Sequence, residues 1–161
     1  MNLFRELRPP AIPRIAAAIT ATFVAMSVVA APSDPIRERN DLMRALGKEG
    51  YNVLSNMEKG RADFDKARVE VAIEGMSEIV KQLPPLWPAN SKPKPPLPRY
   101  SSSLKIWENK PDFDAKLAKL AAVIEESRGK VTDLESLHRT FSVIKQACDE
   151  CHEVYQVTNR R

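Results

Sequence analysis

The chain has 161 residues, enough for one domain with a substantial core. Five glycines against 13 prolines, with 29% charged and 6% aromatic residues, favour helices over strands. The formal charge of +4 falls to +2 once Arg5, Arg8, Arg14 and Glu6 are set aside, leaving 22 basic and 20 acidic residues, too weak and too mixed a surplus for a nucleic-acid or membrane surface.

Residues 1–14 hold three arginines against one glutamate, and residues 15–31 carry no charge. Val28 and Ala30 stand where a signal peptidase reads small residues, so residues 1–30 are expected to be a signal peptide cleaved after Ala30. An uncleaved anchor is the competing reading, but the apolar run is short for a span. Either way the domain at 31–161 is expected outside the cytoplasm, in a bacterial periplasm, with no stable membrane association after cleavage.

Four helices are expected in the mature region, giving an all-α antiparallel four-helix bundle. The first runs from after Pro35 to Glu58, with Ile36, Met43, Leu46, Gly50, Val53, Leu54 and Met57 on a seven-residue inner stripe; Gly60 stops it. The second runs from Asp63, as cap, to Gln82, with Phe64, Ala67, Val71, Gly75, Ile79 and Leu83 inward and Pro84-Pro85 behind it.

A long proline-rich connection follows. Pro84, Pro85, Pro88, Pro93, Pro95, Pro96 and Pro98 are seven of the 13 prolines, and Trp87, Tyr100, Ile106 and Trp107 stand among and after them. A free linker rarely carries two tryptophans, so this segment is expected to pack on the bundle. The third helix is expected over Asp112–Arg128, after Pro111 and before Gly129, with Phe113, Leu117, Leu120, Ala121 and Ile124 inward. The fourth is expected over Thr132–Val157, with a Thr132/Glu135 capping box and Leu134, Leu137, Phe141, Ile144, Cys148, Cys151 and Tyr155 inward. No strands are expected.

The chemistry lies in Cys148-Asp149-Glu150-Cys151-His152. Covalent haem attachment needs two thiols for the two vinyl groups and an imidazole that reaches the iron from the same side; C-x-x-C-H supplies all three. On a helix these residues share a face through i,i+3 and i,i+4 spacing. They are the only two cysteines of an exported chain, and a disulfide between them would close too small a loop to stabilise much. A redox dithiol normally opens a helix in a βαβ setting, and a structural zinc site needs a fourth ligand beyond His138. His138 lies four turns before His152, roughly 21 Å along a continuous helix, too far to be an opposite ligand. It reads as a partly exposed polar residue. No triad, phosphate loop or paired catalytic carboxylates point to an enzyme.

The C-terminal CDECHEVY, the Asp-Phe of IWENKPDFDAK and the first helix IRERNDLMRALGKEGYNVL resemble the cytochrome c-prime family, the class II cytochromes c, across the mature region. The resemblance implies a left-handed four-helix bundle around one haem c held by Cys148 and Cys151, with His152 as proximal ligand. One branch of that family leaves the iron five-coordinate and binds gases such as NO or CO; the other carries electrons with a methionine as second ligand. The position matching that methionine is Met43, which also sits on the inner stripe and has a thioether suited to haem iron. Met57 and Met76 are reserve candidates, and Met57, roughly 21 Å from Met43 along the helix, could not share its iron.

The expected function is therefore electron carriage, with five-coordinate gas binding as the alternative. Leu46, Phe141 and Ile144 are expected to wall the haem, and another redox protein to meet it through a transient contact. A homodimer through the first two helices is a family-level expectation. The family's basic residue after the tyrosine of the motif is Gln156 here, with Arg160 and Arg161 further on.

Overall fold

The computed structural model describes residues 34–159. The expected signal peptide, with Val28, Ala30 and the cut after Ala30, and the terminal Arg160 and Arg161 lie outside these residues. Within them, the four expected helical stretches form a four-helix bundle joined by short turns and one long middle connection.

The first stretch is continuous but not uniform: α1 (Pro35–Ala45), a π-helical segment (Leu46–Tyr51) and α2 (Asn52–Glu58). The Asp34 carboxylate accepts from the Ile36 and Arg37 amides at its start. Gly60, at φ 64°, ends it as expected. The π segment packs Gly50 against Met76 of the next helix; a Cβ at Gly50 would overlap Met76 Cγ and Sδ. Leu46, Leu54 and Met57 are buried, whereas Ile36 at the head of the expected stripe is exposed.

The second stretch, α3 (Lys66–Gln82), is capped by Asp65 rather than Asp63, through the Arg68 amide. Its buried face is Val69, Ala72, Ile73, Met76 and Val80. Val71, expected inside, is 72% exposed. Apolar rows at helical spacing lie on more than one side of this helix, and the side with Ile73 and Met76 fills the bundle better.

The connection packs on the bundle as expected. Leu83, Leu86, Trp87 and Ile106 are buried within it. It contains two 3₁₀ turns (Pro84–Leu86 and Ala89–Ser91), strand β1 (Tyr100–Ser102) and the short helix α4 (Lys105–Glu108). α5 (Lys110–Ser127) starts two residues before the expected point because Asn109 caps it and Pro111 sits inside its first turn.

α6 (Leu134–Tyr155) begins with a capping box made by Asp133 and Ser136, not Thr132 and Glu135. Leu134, expected inside, is exposed, while Leu137, Phe141 and Ile144 are buried. The helix stops two residues early. Gln156–Thr158 form β2, antiparallel to β1, pairing Ser102 with Gln156 and Tyr100 with Thr158. This ladder corrects the expectation of no strands: six residues without apolar alternation leave no periodic signal, and tertiary proximity makes the pair.

Candidate functional site

α6 presents the motif on a firmly held helix. Phe141, Ile144 and Ala147 anchor it on one side, with Phe141 packed edge-on against Tyr51 at 4.9 Å between centroids. Below the motif, buried Tyr155 donates to an Asp112 carboxylate oxygen at 2.5 Å and meets Phe113 edge-on at 5.3 Å. The Gln156 amide donates to the His152 carbonyl. Lys119 Nζ of α5 bonds Glu150 at 2.6 Å, and Lys145 pairs with Asp149. The segment 148–152 is therefore fixed from above, below and the side.

Cys148, Cys151 and His152 line one cavity of about 700 Å³, within the roughly 300–1,000 Å³ usual for cofactor sites. The two cysteines are half-buried and not bonded to each other. Met43 of α1, Leu46 and Met76 line the same cavity, together with Trp87, Ile106 and Phe113. The structure thus brings all four expected site residues together. Met57 is buried away from the cavity, while Met76 joins its wall. Of the three expected wall residues only Leu46 lines it; Phe141 and Ile144 support α6 from behind. His138 stands apart, exposed, with Nδ1 3.0 Å from Glu58. No three potential metal ligands among His, Cys, Asp and Glu cluster among the described residues, so the zinc reading gains no support.

The electrostatics suit a covalently held haem. Burial pushes the Cys148 thiol up to about 11, with Asp149 and Cys151 adding to the rise, and burial also raises Cys151. These are neutral thiols, unlike the depressed thiolate of a dithiol catalyst. Desolvation beside the cavity lowers His152, against a smaller opposing effect of Asp149, which favours the neutral imidazole that an iron ligand must be.

Arg39 is a cavity residue that sequence reasoning missed. It is 2% exposed and lines the cavity. Its guanidinium lies between Trp87 and Trp107, 5.7 and 5.6 Å from the ring centroids. It donates to the Leu86 carbonyl, Ser91 Oγ and the Ser91 carbonyl at 2.9–3.0 Å. Burial lowers its pKa, with Asp34 opposing. Its buried Nε has no acceptor among the described residues. A cationic side chain in the cavity wall suits a cofactor that carries anionic groups. The available signal was position: Arg39 falls between Ile36 and Met43 on the inner stripe, where a charge must have a partner.

A family model described as cytochrome C′ matches residues 34–156. Cytochrome c-555 of Bradyrhizobium diazoefficiens is 29% identical over 86% of this chain and 93% of its own length. Cytochrome c-556 of Rhodopseudomonas palustris is 33% identical over 84% and 91%. Among solved structures, cytochrome c′ from Rhodopseudomonas palustris superimposes with a TM-score of 0.73 at 30% identity, covering 80% of this chain and all of that one. The chain belongs to the cytochrome c′ family, the class II cytochromes c, four-helix-bundle proteins that carry covalently attached haem c.

Proposed function

We propose that this protein is an exported periplasmic electron carrier, not an enzyme, with one haem c attached through Cys148 and Cys151 and its iron held by His152 and Met43. The observation that carries the reading is the lining of a single cavity by these four side chains, drawn from two helices. Haem c, when bound, supplies an iron centre that accepts and releases one electron. The chain's part is to hold and shield it. His152 offers a neutral ring nitrogen from a helix fixed on three sides. Met43 offers a soft thioether, which favours the reduced metal relative to a second imidazole. Leu46, Met76, Trp87, Ile106 and Phe113 keep water from the interior of the cavity. In the described residues no helix is long and apolar enough to cross a membrane, in keeping with a carrier that diffuses between partners.

The test is an absorption spectrum of the haem-matured protein, ferric and ferrous, with and without CO. The expected result is a low-spin spectrum with a weak far-red sulfur band that Met43→Ala removes, and covalent haem that Cys148→Ala/Cys151→Ala abolishes. A high-spin spectrum altered at once by CO would instead establish five-coordinate gas binding. Absence of covalent haem would leave the dithiol reading.

A further inference from the structure

Residues 34–159 are electrically neutral overall. They hold 20 basic and 20 acidic residues, the chain totals of 25 and 21 without Arg5, Arg8, Arg14, Arg160, Arg161 and Glu6. The charge is nevertheless uneven. Between Pro84 and Trp107 there are four basic residues, Lys92, Lys94, Arg99 and Lys105, and no acidic one. The rest of the described domain therefore carries a surplus of four negative charges. All four basic side chains belong to exposed residues, and none makes a salt bridge among the described residues.

This segment borders the cavity. Pro98, Arg99, Tyr100, Ser101 and Ser102 line it beside Cys151 and His152. The segment is held in shape: Arg39 fixes Leu86 and Ser91, β1 pairs with β2, and the Ser103 amide donates to the Tyr155 carbonyl at 2.8 Å. Arg99 and Lys105 flank β1, and the Arg99 guanidinium lies over the Tyr100 ring at 5.3 Å. Tyr100 and Leu104 are about half exposed. The charged residues that line the cavity on other elements do not cancel this surplus: Asp149 pairs with Lys145 and Arg44 with Asp41.

We propose that the basic stretch Pro84–Trp107 of the connection between α3 and α5, which exposed Glu108 follows, is a docking surface for an acidic face of a redox partner protein, steering that partner to the rim of the cavity. The proposal rests on the haem reading above. Charge complementarity of this kind raises encounter rates and aligns partners with little gain in affinity, as a carrier that must release its partner requires. Exposed Tyr100 and Arg99, stacked on one another, are of the residue types that contact proteins. An anionic membrane is less well matched, because the segment is short turns, one strand and a single helical turn, without an amphipathic helix long enough to enter the interface.

The test uses the haem-loaded protein. Ferrous protein gives one electron to hexacyanoferrate(III), a trianion, or to tris(phenanthroline)cobalt(III), a trication; rates are measured against ionic strength. The variant Lys92→Gln/Lys94→Gln/Arg99→Gln/Lys105→Gln is compared with Lys59→Gln/Arg61→Gln/Arg68→Gln/Lys130→Gln, which removes the same charge at exposed residues that do not line the cavity. At low salt the first variant is expected to lose about tenfold in rate with the anion, to gain with the cation, and to match the parent at high salt. The second is expected to change little. Equal effects of both variants would reduce the finding to net charge and overturn the proposal. So would salt-resistant binding of the parent to phosphatidylglycerol vesicles, lost in the first variant, with unchanged kinetics. Failure of the haem reading is separable, since it would appear beforehand as a missing covalent haem spectrum in the parent.

Discussion

α6 and the first helix each contribute to the same cavity, but by different means. In α6 everything needed for covalent attachment lies within five residues of an uninterrupted helix with a complete capping box at its start. In the first helix Met43 sits one turn before a π-helical segment, and its surroundings depend on Gly50 meeting Met76 and on Arg39 being clasped by a distant connection. The proposed attachment is thus encoded locally, and the setting of Met43, the proposed second ligand, is encoded by tertiary structure. Insertions of a π turn recur where a helix must re-aim its side chains toward a functional site.

That contrast can be attacked at Gly50 first. Gly50→Ala would drive a methyl group into Met76, so the cost is expected at about 1–3 kcal/mol in chemical denaturation of the haem-loaded protein. Displacement of Met76 into the cavity is expected to weaken the far-red sulfur band while covalent haem stays intact. A variant equally stable and spectrally unchanged would break the idea that tertiary packing sets the Met43 side.

A smaller effect is expected on the α6 side. Tyr155→Phe removes the donor to Asp112 and is expected to cost about 1 kcal/mol, with covalent attachment retained. Burial, then the bond to Asp112, pushes the Tyr155 phenol up to about 12 from its ordinary 10. A raised folded-state value means that this contribution is fully present below pH 10 and is lost as pH rises toward about 12. Parent and Y155F stabilities should therefore converge over that interval. A gap that persisted unchanged to pH 12 would show that the phenol's proton is not what holds the end of α6.

The smallest effect tests the choice of helix face. Val71→Thr is expected to change stability by less than about 0.5 kcal/mol, because Val71 is exposed in α3. A large loss would restore the face expected from sequence.

The four helices, the attachment motif and the stop at Gly60 were legible because apolar spacing, C-x-x-C-H and glycine at positive φ are local signals. The place of Met43 on the cavity wall was legible only through resemblance joined to its stripe position. The inner face of α3 was not, since spacing ranks rows without saying which row meets a partner. Arg39 was hidden because its partners, Leu86 and Ser91, lie 47 and 52 residues away. Thr132 and Asp133 are both competent caps, and the Ser136 amide, which donates to the Asp133 carboxylate, decided between them.

The ladder between β1 and β2 has a dynamic consequence. Two strands of three residues are marginal alone, with no third strand or apolar face of their own. Local opening free energies scale with such support, so this pair is expected to open at lower cost than the buried helices. The cavity is accordingly bounded by walls of unequal support: packed helices, and one short seam, Tyr100–Ser102 against Gln156–Thr158, expected to open at lower cost than they do.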